Sequence, residues 1–377
     1  MKSIMWVAGE NSGDLHSSMI LRELKRRGKN YRSFGIGGFR MQSEGFEALF
    51  PFKKFNVMGF AEVIKDIFFF GKVQRNLLNI FKTNPPDLLI LVDYPGFNLR
   101  LAKKAYDYNF PILYYICPQF WAWKHNRVYQ LKENTNFVSC ILPFEEELLS
   151  IHQVSSKYVG HPIAEEIQLL SNKDDFADFF QLDKSKKWLG FFPGSRDMEI
   201  SRLLPEYLES IKHFNEDEYQ FLISKSHTVN KKLFSDIIQK SKMKNIKIID
   251  GYNYDMMNLC DFLVVTSGTA TLEAAMIGTP FIIVYKTSPI SYFIGSKIVK
   301  IKYIGLPNLI ADKLLVPELI QSEAKGEIIA ENIKKYLQDS SLYEKTQSEL
   351  SKISHLLGDK SASKEMADII EDLLNEK

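Results

Sequence analysis

Three stretches of this chain set chemically capable residues directly after an apolar run. Residues 262–265 are apolar and rich in β-branched side chains, and Ser267-Gly-Thr-Ala-Thr-Leu-Glu273 follows them. Such a run predicts a buried strand, and 269–276 then predicts a helix that Gly278 and Pro280 stop. The first amides of a helix have no partner inside it, and together with the macrodipole they suit a phosphate. The small turn residues Ser267, Gly268, Thr269, Ala270 and Thr271 would let a phosphate approach the backbone. Glu273 lies about one helical turn further in, where a carboxylate can accept bonds from ribose hydroxyls. The plainer reading is an ordinary turn of an α/β protein. Pro193-Gly194-Ser195-Arg196 repeats the device after the strand 188–192. Arg196 could hold a diphosphate bidentately or simply pair with Glu199.

The first half carries acids instead. Asp93 ends the apolar stretch 85–92 and is followed by Tyr94-Pro-Gly-Phe-Asn98. A carboxylate at the carboxyl end of a central strand is a general-base candidate, and a turn-forming aspartate is the alternative. Glu10 follows the strand 4–8 in Gly9-Glu-Asn-Ser-Gly-Asp14, where it could hold a sugar hydroxyl. Ser12 or Asp14 can serve as N-cap of the helix 15–27. Trp121 and Trp123, one residue apart and followed by Lys124, His125 and Arg127, suit a binding wall or structural packing. Asn308, between Pro307 and an apolar pair, is a further polar candidate, whereas His161 reads as structural. Consecutive Phe68, Phe69 and Phe70 cannot all face one core from a helix. With Lys65, Lys72 and Arg75 around them they suit a membrane interface or an acyl chain, against the alternative of a helix buried all round. Residues 288–302 form a second basic-aromatic segment.

Positioning these residues takes a repeated strand–loop–helix unit, which predicts open parallel α/β sheets with sites beyond the strand ends. Strands are expected at 4–8, 34–38, 85–93, 111–116 and 138–142, then at 188–192, 219–224, 246–249, 262–265 and, last, 281–285. Residues 303–310 read as extended and 315–374 as helical. The 377 residues suggest two domains, 1–162 and 163–345, with a helical segment 346–377 free to return to the first. A hydrophobic content of 45% supports a real core, and a net charge of +2 argues against nucleic acid as a partner. Three scattered cysteines fit a reducing compartment. No HxxxH or CxxC spacing predicts a metal, no signal peptide opens the chain, and no apolar run is long enough to cross a bilayer.

Taken in order, Gly9–Asp14, Gly35-Ile-Gly-Gly38, Val57-Met58-Gly59 with Glu62, Asp93–Asn98, Trp121-Ala-Trp123, Leu142-Pro-Phe-Glu145, Val159-Gly-His-Pro162, Pro193–Arg196, Ser267–Glu273 and Leu306-Pro-Asn-Leu309 resemble the lipid-A-disaccharide synthase family. The resemblance covers nearly the whole chain. It implies the GT-B architecture, two Rossmann-like parallel-sheet domains facing a cleft. It implies an inverting, metal-independent transfer from UDP-2,3-diacylglucosamine to 2,3-diacylglucosamine 1-phosphate, with no cofactor. It also implies a cytoplasmic enzyme docked on the inner membrane, and a homodimer is compatible with it. Asp93, Arg196 and Glu10 become the expected catalytic residues. Gly194 to Arg196, Ser267 to Thr271 and Glu273 become the expected UDP-sugar site. Glu10, Ser12, Asp14, Met58, Glu62, Asn98, Trp121, Trp123 and Asn308 become the expected acceptor site. Gly96 stands where many relatives have a second acid, Lys124 where arginine is usual, and Phe39 where proline is usual. A lysine there keeps the charge and loses the planar fork.

Overall fold

The structure is a computed structural model and describes residues 1–55, 67–243, 245–289, 292–293 and 301–375. The chain divides into two compact units, Met1–Glu165 with the segment from Gly358 onward, and Glu166–Leu357.

The first unit is a seven-stranded parallel sheet: β1 Ser3–Ala8, β2 Arg32–Ile36, β3 Glu47–Ala48, β4 Leu88–Val92, β5 Ile112–Tyr115, β6 Phe137–Cys140 and β7 Ser156–Tyr158. Their order is β3-β2-β1-β4-β5-β6-β7. Strand side chains alternate faces, so a parallel sheet covered on both sides needs apolar residues throughout. In β1, Met5 and Val7 enter one core while Ile4, Trp6 and Ala8 enter the other. β4 divides in the same way, with Leu89 and Leu91 opposite Leu88, Ile90 and Val92. The C-terminal helix Ala362–Asn375 completes the second of these cores. Its Met366, Ala367, Ile370 and Leu374 pack with Ile20 and Leu24 of the helix Asn11–Arg26. Arg27 ties the contact to Asp368 (2.5 Å) and Glu371 (3.2 Å). The preceding helix, Ser340–Gly358, belongs to the second unit as far as Leu357, and there the Tyr343 hydroxyl donates to the Asp261 carbonyl at 2.9 Å.

The second unit has a six-stranded parallel sheet: β8 Lys187–Phe192, β9 Tyr219–Lys225, β10 Ile246–Asp250, β11 Phe262–Thr266, β12 Phe281–Tyr285 and β13 Glu318–Ile320. The order is β10-β9-β8-β11-β12-β13. Two expectations are corrected here. β12 is not the last strand, because Glu318–Ile320 pairs with it in register. Residues 303–310 are not extended, because Leu306–Ala311 is a helix with Pro307 in its first turn, a position where the missing N–H costs nothing.

In both sheets the strand order reverses at one place, between β1 and β4 in the first unit and between β8 and β11 in the second. In such sheets the crevice outside the carboxyl ends of those two strands is where ligands bind.

Candidate active site

The switch point of the first sheet is occupied by acids. Ala8 pairs with Val92, so the residues that follow them, Glu10 and Asp93, emerge from neighbouring strands. Asp93 and Tyr94 both have left-handed backbones, φ 46° and 47°, a conformation that is strained for residues with side chains and collects at functional sites. Three bonds hold it. The Asp93 amide donates to the Tyr115 carbonyl (2.9 Å), and its carbonyl accepts from the Tyr114 hydroxyl (2.6 Å) and from Asn98 Nδ2 (2.8 Å). Asn98 is fully buried and also donates to the carbonyls of Val7 and Val92. Its Nδ2 therefore staples β1 to β4 under Asp93. Burial pushes the Asp93 carboxyl above the usual aspartate range, with the charges of His16 and Arg127 opposing the shift. Glu10 is half-buried at the start of the helix Asn11–Arg26 and close enough to perturb Tyr94 and Tyr114. Ser12 is exposed beside it.

Asp14 does not face this site. Its carboxylate accepts the amides of Gly38 (2.7 Å), Arg40 (3.1 Å) and Met41 (3.1 Å), which caps the helix Phe39–Ser43. An acid so engaged holds the fold locally, with three acceptor positions of its carboxylate already taken. Asn308 is engaged in the same way. It is fully buried in the second unit, donates to Val316 O and Glu318 Oε1, and accepts from the amides of Leu315 and Val316. Met58 and Glu62 lie outside the described residues.

After β5 the chain makes the tryptophan loop. Trp121 is half-buried, packs edge-to-face on Phe144 at 5.1 Å, and donates its indole N–H to Glu145 Oε1 at 3.1 Å. Glu145 also accepts the Leu142 amide, and burial raises it to about 7. Trp123 stays exposed, with Lys124 Nζ 4.4 Å and Arg127 Cζ 4.7 Å from its ring centre. Sequence reasoning assigned nothing to Tyr114, His16 or Glu145; only the sheet brings them to Asp93. His161 is buried, accepts the Ile163 amide, and is lowered to about 3 by burial, so it stays neutral.

The second switch point is a cavity of about 300 Å³. Gly194, Ser195 and Arg196 line it from the end of β8, and Ser267, Gly268, Thr269, Ala270 and Glu273 from the end of β11. Phe192 pairs with Val265, which puts the two turns side by side. The helix Thr269–Ile277 begins there with Gly268 as N-cap, and the Thr271 hydroxyl is buried and donates to the Gly268 carbonyl at 2.7 Å. Gly194 has φ 104°, and a Cβ on it would meet the Glu199 carboxylate at 2.3 Å. That carboxylate accepts the amides of Ser195 (2.9 Å) and Arg196 (3.2 Å) and pairs with the exposed Arg196 guanidinium at 3.2 Å. In this state Glu199 supplies the anion at the first turn, while the β11 turn carries the open helix N-terminus. Glu273 is raised to about 7, mainly by burial and then by the charge of Glu166.

The phenylalanine segment is corrected in part. Phe68 is 86% exposed, but Phe69 and Phe70 pack against the core. Phe69 meets Phe55 at 5.2 Å and Phe70 meets Phe97 at 5.9 Å. Helical spacing leaves Phe68, Lys72 and Arg75 on one exposed face of the helix Ile67–Thr83. Tyr292 and Phe293 are exposed in the second unit, and Lys297 and Lys300 lie outside the described residues. No helix among the described residues is long and apolar enough to cross a membrane.

Comparison with known proteins agrees with this geometry. The lipid-A-disaccharide synthetase family matches residues 4–371. A lipid-A-disaccharide synthase of Geobacter sulfurreducens is 36% identical over 376 residues, 99% of this chain and 98% of that protein. Among solved structures, the UDP-GlcNAc 2-epimerase of Neisseria meningitidis bound to UDP-GlcNAc has a TM-score of 0.62 at 13% identity, over 100% of both chains. The calicheamicin glycosyltransferase CalG4 has a TM-score of 0.64 at 13% identity, over 100% of this chain and 98% of that one. These two likenesses show the fold, two parallel-sheet domains of the kind GT-B glycosyltransferases share. The family match runs nearly end to end, and this chain belongs to the lipid-A-disaccharide synthase family.

Proposed function

We propose that the protein transfers diacylglucosamine from UDP-2,3-diacylglucosamine to the 6-hydroxyl of 2,3-diacylglucosamine 1-phosphate. The products are a β-1,6-linked disaccharide 1-phosphate and UDP. The observation that carries this reading is Asp93: a desolvated carboxylate on a strained backbone at the β1/β4 switch point, in a chain of this family. A general base must meet the hydroxyl proton ionised and poorly solvated, and burial of Asp93 supports that role. Gly96, where many relatives have a second acid, is exposed and offers no carboxylate; at the β1/β4 switch point the described acids that follow the strands are Asp93 and Glu10.

The leaving UDP develops negative charge, which fixed donors stabilise best when they are already in place. The helix N-terminus at Gly268 to Ala270 meets part of it. Arg196 meets the rest once the diphosphate displaces Glu199 from the guanidinium. Glu273 accepts the ribose hydroxyls. The reading needs no metal and no cofactor. The configuration inverts because the acceptor oxygen attacks directly, without a covalent intermediate. Phe68, Lys72 and Arg75 dock the protein on the cytoplasmic face of the inner membrane, where the acylated substrates reside.

Incubation with the two acylated sugars tests this, read by mass spectrometry of the lipid product and by release of UDP. Disaccharide formation that continues in EDTA is expected. Likeness to the Neisseria epimerase favours a second reading, and its signature is conversion of UDP-GlcNAc to its 2-epimer with no disaccharide. A chain that binds UDP and yields neither product is a binding protein.

A further inference from the structure

The loop between β5 and the helix Arg127–Asn134 carries two cations that make no ion pair among the described residues. Lys124 and Arg127 both sit against the one exposed indole of Trp123, at 4.4 and 4.7 Å from its centre. The loop is held so that they meet there. Lys124 has a left-handed backbone, φ 54°, and its carbonyl accepts the Arg127 amide at 3.0 Å. Trp121, two residues before Trp123, is anchored by Glu145. Among the described residues neither cation has a carboxylate partner, although ion pairs occupy many other arginines and lysines of the chain. Arg127 is half-buried, and burial lowers its pKa.

Two like charges drawn to one ring, one of them partly desolvated, are costly until an anion arrives. A guanidinium held against a ring still presents a fork matched to phosphate or carboxylate, and the nearby ammonium adds a point charge. Two cations favour a group near −2. A phosphate monoester carries about −1.5 to −2 at pH 7, and a carboxylate only −1. This step rests on the proposed reaction, in which the acceptor carries the only phosphate monoester. The donor's phosphates are a diphosphate bridging sugar and nucleoside, assigned to the second unit's cavity. The charge of Arg127 is also felt at Asp93, so the cation and the base serve one substrate region.

We propose that Arg127 and Lys124, braced on Trp123, form the subsite for the phosphate monoester of the acceptor sugar. They select a phosphorylated acceptor and set its sugar ring before Asp93. The subsite determines specificity and takes no part in proton transfer.

The test compares the acceptor 1-phosphate with the same diacyl sugar lacking the phosphate. Equilibrium binding in detergent and kcat/KM are measured for wild type, Arg127→Ala, Arg127→Lys and Lys124→Ala. Loss of a partly buried charged contact predicts a fall on the order of a hundredfold for the phosphorylated acceptor in Arg127→Ala, chiefly in KM. Lys124→Ala should lose less, and Arg127→Lys should keep part of the affinity. For the unphosphorylated acceptor, Arg127→Ala should lose about tenfold less binding than for the phosphorylated one; the charge of Arg127 also reaches Asp93, so rate can fall with both acceptors and the binding difference carries the comparison. Equal losses of binding with both acceptors, or no loss with either, overturn the subsite. If wild type makes no disaccharide, the proposed reaction fails, and binding still decides the subsite: phosphate-dependent loss in Arg127→Ala and Arg127→Lys upholds it, and indifference to phosphate overturns it.

Discussion

At the scale of residues, the acids of this chain separate by where their lone pairs go. In sequence Asp93 reads as a general base and Asp14 as an N-cap or an acceptor contact, each close to a glycine in a turn. Asp14 turns out to have three backbone amides on its carboxylate, while the Asp93 carboxylate meets the Tyr94 amide and is otherwise dominated by burial. The apolar run before Asp93 made it legible. Nothing local could reveal that Asp14 is occupied, because its partners lie 24 to 27 residues away. Asn98 is a staple whose three carbonyl partners lie on β1 and at the end of β4. Asn98→Ala removes all three bonds of this buried side chain and should cost about 1–3 kcal/mol, measured by urea denaturation. Glu273 offers a pH test. Its carboxyl is raised to about 7, so the anion that accepts ribose hydroxyls predominates only above that pH. UDP affinity should therefore rise as pH increases through about 7 and fall below it, and Glu273→Gln should flatten the profile. Calorimetric titration from pH 5.5 to 8.5 checks this; a flat wild-type profile contradicts the assignment.

At the scale of elements, the strand–turn–helix units were readable because buried parallel strands are short apolar runs with small residues after them. β13 and the helix Leu306–Ala311 were not. The strand has three residues, and the helix is held by Glu318, whose carboxylate accepts the amides of Ile304 and Gly305. Periodicity carries no trace of such a contact. The helix Ile67–Thr83 shows the same limit. Its apolar run does not say which phenylalanine escapes the core, and packing against Phe55 and Phe97 leaves Phe68 outside. Membrane docking by that face predicts that Phe68→Ser with Lys72→Ala and Arg75→Ala reduces sedimentation with anionic vesicles. Added salt should weaken what remains. Phe69→Ser should instead lower stability, since that ring belongs to the core. Unchanged sedimentation of the folded triple variant would remove the helix from the docking surface.

For the whole molecule, each unit repeats one solution, a parallel sheet whose order reverses at a single pair of strands, and the two reversals carry different chemistry. The first presents acids and an aromatic-cationic loop, the second a helix N-terminus, an arginine and a buried glutamate. That division was legible in the sequence as acids after the first unit's strands and small residues after the second's. It implies that base function and nucleotide affinity can be lost independently. Asp93→Asn keeps the shape and hydrogen bonding of the side chain but cannot take a proton, and Glu10→Gln is the matched control at the neighbouring strand. The most direct measurement is kcat for disaccharide formation together with UDP affinity, both in Asp93→Asn. The account predicts a kcat lower by roughly a hundred- to ten-thousandfold, the range of a general base, with UDP affinity unchanged. A near-normal kcat in Asp93→Asn, with collapse in Glu10→Gln, would contradict it and move the base to Glu10.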